Sequence, residues 1–116
     1  MSNNSAFANL PAPPYYVVVF TSQRTSGENG YDTTADRMVE LAQSQPGFLG
    51  IESARSEGGF GITTSYWTNE SSIRAWKQQA EHRIAQEKGK ERWYEHFEIR
   101  IAKVERAYGQ QQQGNP

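Results

Sequence analysis

The sequence predicts one α+β domain with the element order β-α-β-β-α-β, a ferredoxin-like four-stranded antiparallel sheet with both helices on one face. Four segments have strand composition, and two stretches with helical periodicity alternate with them in this order. A glycine-bearing turn joins the second and third strands. At 116 residues the chain has room for a single core.

The first strand is predicted at residues 15–20, an unbroken run of tyrosine, valine and phenylalanine. Such a run is typical of a central strand buried on both faces. The polar, glycine-bearing residues 21–30 predict a loop. Thr33 and Asp36 then form a helix-capping pattern, and Pro46-Gly47 ends that helix. Its apolar stripe is predicted at Ala35, Met38 and Ala42.

The next two strands are predicted at residues 48–55 and 60–67, where Glu57-Gly58-Gly59 between them favours a tight antiparallel hairpin. Residues 68–71 are rich in capping side chains and begin a second helix, which Gly89 breaks or bends. The stripe of this helix consists of Ile73, Trp76, Ala80 and Ile84.

The last strand is predicted at residues 97–108, where the apolar residues change phase. Phe97, Ile99 and Ile101 share one parity, whereas Ala102 and Val104 have the other. This change predicts either a β-bulge near Ile101-Ala102 or a strand that is covered differently along its length.

Composition sets the limits on function. Residues 1–14 and 109–116 are predicted to be flexible tails around a domain at 15–108. Twelve basic against 13 acidic residues give no field that would attract nucleic acid or a membrane surface. The chain has no cysteine, no secretory pattern near Met1 and no apolar run long enough to span a bilayer. We therefore expect a cytoplasmic protein with neither nucleic acid nor membrane as a partner.

The first strand also predicts a homodimer. Two helices cover one side of a four-stranded sheet, yet residues 15–20 are apolar on both parities. A second copy packed sheet to sheet would cover the other side. The alternative is that the C-terminal segment folds over that side within one chain.

Several segments together resemble the antibiotic-biosynthesis-monooxygenase family. They are Phe-Thr-Ser-Gln-Arg at 20–24, Gln-Pro-Gly-Phe-Leu-Gly-Ile-Glu-Ser at 45–53, Gly-Ile-Thr-Thr-Ser-Tyr-Trp at 61–67, Trp76-Lys77 with His82, and Val-Glu-Arg-Ala-Tyr at 104–108. The resemblance implies a dimeric α+β barrel with one pocket per subunit between helices and sheet. It further implies cofactor-independent oxygenation of phenolic or quinol compounds, haem degradation, or no established reaction.

Oxygenation without a cofactor needs an apolar pocket, aromatic walls and a proton acceptor. His82 is the candidate general base, because the ordinary pKa of imidazole lies near neutral pH. On an unbroken helix, however, His82 would lie almost opposite the Ile73-Ala80-Ile84 stripe and would face solvent. His96, at the start of the last strand, is a weaker candidate.

The candidate pocket residues are mainly aromatic. Trp67 and Trp76 are predicted to take part in catalysis, and Tyr66, Trp93, Phe20 and Arg100 to contact the substrate. For the tryptophans the alternative is packing in the core. Arg24 and Arg100 could hold a substrate anion, or make surface or dimer ion pairs.

Haem and metal chemistry are disfavoured. The family's haem-degrading members carry an asparagine in the first strand and a haem-ligating histidine ten residues after the helix tryptophan. Here residues 17–22 contain no asparagine, and Gln86 stands ten residues after Trp76. His82 and His96 are 14 residues apart and form no metal motif.

Two functional hypotheses follow. The first is a cofactor-independent monooxygenase, with no bound cofactor or metal, that acts on a small aromatic or quinol-like compound. The second is a non-catalytic dimeric module that binds a small apolar molecule, serves in a stress response or only stabilises a larger assembly. The first hypothesis requires a titratable group that reaches an apolar cavity beside Trp67 and Trp76, and the second does not.

Overall fold

The structure is a computed structural model that describes residues 6–24, 39–87 and 94–109, without the side chains of 81–87 and 94–95. Thr33, Ala35, Asp36, Met38, Gly89 and Trp93 lie outside the described residues, and so does the side chain of Ile84. The elements are β1 (Tyr15–Arg24), the described part of α1 (39–43), β2 (Phe48–Arg55), β3 (Phe60–Trp67), α2 (Glu70–Glu87) and β4 (Tyr94–Val104).

The four strands form one antiparallel sheet in the order β2-β3-β1-β4. β1 is therefore a central strand, paired with β3 on one side and with β4 on the other. This order, with α1 and α2 in the described chain, confirms the ferredoxin-like prediction.

β1 is longer than predicted, because residues 21–24 belong to the strand and not to a loop. Thr21, Ser22 and Gln23 pair with β3 and β4 at once. Backbone pairing on both sides outweighs their polar composition, since strand preference depends on context more than on the residue alone.

β4 differs from its prediction at both ends and in its register. It runs from Tyr94 to Val104 instead of over 97–108. Pairing with β1 is continuous from Tyr15↔Val104 to Gln23↔His96, so a bulge near Ile101-Ala102 is wrong. The irregularity lies between Gln23 and Arg24. Phe97, Ile99 and Ile101 are about half exposed, which agrees with the alternative of uneven cover.

Both connections around β2 follow the predicted glycine chemistry. Gly59 has a φ of 96° in the turn that joins β2 to β3, and Gly47 has a φ of 89° directly before β2. Gly47 also packs against the start of α2, where an added Cβ would lie 2.2 Å from Ser72 Oγ. Glycine is required there by the backbone conformation and by the lack of space.

The second helix begins where its capping residues predict. Asn69 Oδ1 accepts a hydrogen bond from the Ser72 amide at 2.8 Å, as an N-cap residue does. Ile73 and Ala80 of the predicted stripe are buried. With Val18, Ala42 and Trp67, Ile73 forms the core between the helices and the sheet.

Strand pairing gives the sheet two faces, which we call the helix-side face and the open face. Even-numbered residues of β1 lie on the helix-side face with Trp67 and Ile99, and odd-numbered residues lie on the open face with Tyr66 and Arg100. The helix-side face contains the core, since Val18 and Trp67 belong to it.

The open face is partly covered from the N-terminal side. The amide of Ala8 donates to Glu52 Oε2 at 3.0 Å, and Ala8 and Leu10 lie over Gly50. The C-terminal residues 105–109 are exposed, and Tyr108 is 100% exposed, so in the described chain they do not cover this face. The predicted boundaries at 14 and 109 stay predictions, but residues 8–10 of the N-terminal segment do contact the sheet.

Candidate functional site

Four aromatic side chains gather on the helix-side face; we call Tyr16, Phe48, Trp67 and Trp76 the aromatic cluster. Trp67 is 0% exposed, with ring centroids 5.3 Å from Phe48 and 5.7 Å from Trp76. The end of β3 supplies Trp67, and α2 supplies Trp76 one turn after the buried Ile73. The predicted proximity of the two tryptophans is therefore confirmed.

The two indole N–H groups of this cluster differ in their partners. Trp67 Nε1 donates to Ser65 Oγ at 3.0 Å, and both residues are buried. Trp76 Nε1 is also buried, but it has no hydrogen-bond partner among the described residues. Leaving such a donor unsatisfied costs about 1–3 kcal/mol. The hydrogen-bonding capacity of the Trp76 N–H is therefore unused among the described residues.

Next to the cluster lies an apolar row made of Phe20 on β1 and Phe97, Ile99 and Ile101 on β4. The three β4 residues are 52%, 46% and 49% exposed, and the Phe20 and Phe97 rings lie 5.6 Å apart. Val18, directly opposite Ile101, connects the row to the core. At about 3.3 Å per residue the β4 part extends over roughly 13 Å. It offers an apolar surface of the size of a small aromatic molecule.

A polar pair, which the sequence analysis did not identify, lies at the far end of this face. Arg55 and Ser22 both lie opposite Gly61, which stands between them in the sheet. Because Gly61 has no side chain, Arg55 crosses over it and donates to the buried Ser22 Oγ at 2.9 Å. A glycine inside a strand indicates such a close approach, but the strand register that places Arg55 and Ser22 on either side of Gly61 is not specified by composition.

The open face carries a different chemistry. Tyr66 donates to Glu52 Oε1 at 2.6 Å, and Thr64 lies 3.3 Å from the same oxygen. The hydrogen bond from Tyr66, followed by that from the Ala8 amide, lowers the pKa of Glu52 below its ordinary value of 4.5. Burial, followed by the contact with Glu52, raises the pKa of Tyr66. At neutral pH the pair is therefore a phenol bound to a carboxylate.

The structure separates the predicted substrate contacts. Phe20 lies on the helix-side face with Trp67 and Trp76, but Tyr66 and Arg100 lie on the open face. These residues therefore do not share one face of the sheet, and their role as substrate contacts stays a prediction. The reason is visible in the sequence, because Tyr66 and Trp67 are neighbours on one strand and successive side chains point to opposite faces.

The histidines gain no support as site residues. The side chain of His82 lies outside the described residues, although the backbone of α2 is helical without a break from Glu70 to Glu87. The catalytic role of His82 therefore stays a prediction. His96 is exposed and bonds Glu98 at 2.9 Å on the open face.

Metal and haem ligands are lacking in the part of the chain that the structure describes. No group of three or more His, Cys, Asp or Glu side chains comes together there. The described side chains of the helix-side face supply no imidazole, thiolate or thioether for haem iron.

The comparisons with known proteins identify the family. The family model described as antibiotic biosynthesis monooxygenase matches residues 14–88, and the chain belongs to that family. It is 50% identical over 99 residues to the uncharacterized protein YqjZ of Bacillus subtilis (strain 168), covering 85% of this chain and 87% of that protein.

Solved structures share the fold at low sequence identity. SnoaB, a cofactor-independent oxygenase from Streptomyces nogalater, superposes with a TM-score of 0.59 at 11% identity, covering 90% of this chain and 100% of that chain. A manganese-protoporphyrin complex of the MhuD R26S mutant gives a TM-score of 0.64 at 14% identity, covering 82% and 99%. At these identities the likeness establishes the fold only.

The expectation that no segment spans a membrane can be compared with the described helices. Among the described helices, none combines the length and apolar character needed to cross a bilayer.

Proposed function

We propose that this protein is a cofactor-independent monooxygenase that acts on a small aromatic or quinol-like compound. The observation that carries the proposal is the buried, unpartnered N–H of Trp76 in an aromatic cluster beside an exposed apolar row. The apolar row would hold the substrate ring, and Trp76 would donate to its phenolate or enolate oxygen. Membership of the antibiotic biosynthesis monooxygenase family supports this reading.

The chemistry requires only the substrate and dioxygen. The substrate anion supplies all four electrons, one oxygen atom of O₂ enters the product and the other leaves as water. In an anthrone-like phenol a CH₂ group becomes C=O, and in a quinol a ring C–H becomes C–OH while the ring becomes a quinone. A hydrogen bond from Trp76 to the substrate oxygen would stabilise the anion that meets dioxygen. The apolar surroundings strengthen that hydrogen bond, because little water competes for it.

Oxygen consumption tests the proposal. The purified protein, mixed with a panel of quinols and anthrone-like phenols, should consume one O₂ per oxygen atom incorporated into the product, as measured with an oxygen electrode and mass spectrometry in ¹⁸O₂. Label in the product is expected. If every compound binds and none is oxidised, the monooxygenase proposal is wrong.

A non-catalytic binding module is the second candidate. It is favoured by one observation: Glu52 and Tyr66, whose pKa values are shifted, lie on the face opposite the aromatic cluster. Under this reading the aromatic cluster and the apolar row hold a small apolar molecule. Tight binding of a quinol, seen as quenching of tryptophan fluorescence, without oxygen consumption would select this candidate.

The unbroken α2 determines what we expect of the histidines. His82→Ala should change kcat/KM for oxygen consumption by no more than about twofold, as should the matched variant His96→Ala. The substrate would then bind as the anion formed in bulk water, and Trp76 would stabilise that bound anion. A fall of about 10²-fold or more in His82→Ala alone would instead assign the general base to His82.

We also propose that the protein is a homodimer joined through the open face. Phe60 and Ile62 of this face are 51% and 44% exposed, which is costly for a free surface. Size exclusion with light scattering should give about twice the chain mass of 13.1 kDa. Ile62→Glu should halve that mass, because a buried unpaired charge disrupts an apolar interface.

Ile99 provides the matched control for the dimer experiment. It is 46% exposed, like Ile62, but it lies on the helix-side face. Ile99→Glu should leave the measured mass unchanged. A wild-type mass of one chain would contradict the homodimer proposal.

A further inference from the structure

The N-terminal segment makes a specific contact with β2. Residues 6–10 pass over Gly50, and the Ala8 amide donates to Glu52 Oε2 at 3.0 Å. We call these residues the strap. The other carboxylate oxygen of Glu52 is held by Tyr66 at 2.6 Å and lies 3.3 Å from Thr64. Both oxygen atoms of the Glu52 carboxylate thus accept hydrogen bonds, one from the strap and the other from β3.

The strap fits the sheet edge in shape, in addition to its hydrogen bond with Glu52. A Cβ added at Gly50 would lie 2.8 Å from the Ala8 side chain and 3.2 Å from Leu10 Cδ2. The strap therefore fits only because this position of β2 lacks a side chain. A backbone amide and a small side chain are what the Gly50–Glu52 edge recognises.

We infer that the strap is a pH-gated cover of the Gly50–Glu52 edge of the sheet, which is docked while Glu52 is ionised and is loosened when Glu52 is protonated. A hydrogen bond from an amide to a carboxylate is about twice as strong as one to a neutral acceptor. Protonation of Glu52 removes this advantage. It also adds a proton to a carboxyl group whose oxygen atoms already accept from Tyr66 and Thr64. The inference is independent of the proposed enzymatic function.

The direction in which strap docking changes with pH follows from the direction in which the pKa of Glu52 is shifted. The folded-state pKa of Glu52 is lowered, first by Tyr66 and then by the Ala8 amide. Its contribution to strap docking is therefore fully present above the ordinary value of 4.5 and is lost as the pH falls through the lower folded-state pKa.

Few charges face Glu52 in the described chain. Tyr66 contacts it from β3, and the Tyr15 ring of β1 lies 5.8 Å from the Tyr66 ring. Arg100 is in the same cross-strand row, three strands away. Three strand spacings amount to roughly 14 Å, so that Arg100 acts on Glu52 only weakly.

NMR titration of the full chain tests the inference. The Ala8 amide shift should follow the Glu52 carboxyl shift with one midpoint below 4.5. Amide protection of Ala8 should fall by about tenfold below that midpoint. In Glu52→Gln the neutral side-chain oxygen still accepts, so that the Ala8 shift should no longer depend on pH in this range.

Two glycine variants separate strap docking from other effects on Glu52. Gly50→Ala should displace the strap and raise the Glu52 midpoint, and Tyr66→Phe should raise it more, because the Tyr66 bond is the larger cause. Gly58→Ala is the matched control, since its Cβ would meet only Ser56 Oγ, at 3.9 Å. An Ala8 amide that does not follow Glu52, or a Glu52 midpoint unmoved by Gly50→Ala, would overturn the inference.

Discussion

Replacing Trp67 by alanine should lower the free energy of unfolding by about 3–5 kcal/mol, because a large buried ring leaves a cavity that its neighbours cannot fill. Trp67 is 0% exposed and contacts both Phe48 and Trp76. The variant also leaves the buried Ser65 hydroxyl without its indole partner. Since domains of this size are stable by about 5–15 kcal/mol, the variant should approach the limit of folding.

Urea denaturation followed by far-ultraviolet circular dichroism measures this effect. Tyr108→Ala is the control, since that ring is 100% exposed and its loss should change stability by no more than about 0.5 kcal/mol. If Trp67→Ala costs less than about 1 kcal/mol, Trp67 is not the centre of the core.

Trp76→Phe should lower kcat/KM for oxygen consumption by about 10²-fold while leaving the fold intact. It keeps most of the aromatic surface but removes the one indole N–H that is buried without a partner in the described chain. Loss of one donor to a developing oxyanion costs on the order of 10²–10³ in rate. The free protein should be equally stable or more stable, by up to about 1–2 kcal/mol, since an unsatisfied buried group has been removed.

Trp67→Phe is the matched comparison, because the Trp67 indole N–H does have a partner. It should lower the free energy of unfolding by leaving the Ser65 hydroxyl unpaired. The two variants should change stability in opposite directions, and activity should be lost in Trp76→Phe. This result would show that the Trp76 N–H donates to a ligand, whereas the Trp67 N–H stabilises the fold. Unchanged activity in Trp76→Phe would remove Trp76 from substrate binding.

Much of the fold could be predicted because local sequence signals agreed with one another. The hairpin ends at 48–55 and 60–67 were predicted from strand composition and a glycine turn, and β2 and β3 have these bounds. β1 was predicted too short, because Thr21 and Ser22 are in the strand through pairing on both sides. Residues that are distant in sequence supply that pairing, so composition alone does not reveal it.

The site was predictable only where one element determines the position of a residue. Trp67 and Trp76 were identified from strand and helix patterns and do lie together. The Arg55–Ser22 pair and the Glu52–Tyr66 pair depend on the register between strands, which hydrophobic patterns do not specify residue by residue. Tyr66 was grouped with Trp67 and Phe20 because of its aromatic character, although its parity in β3 places it on the other face of the sheet.

Tyr66 and Trp67 are consecutive residues, yet one belongs to a carboxylate-bound phenol and the other to the core beside an apolar surface. A single peptide bond therefore joins two chemically unlike environments. Under the proposed ligand site and the proposed dimer interface, substitutions at alternating positions of β3 would alter ligand preference without disturbing subunit association, or the reverse.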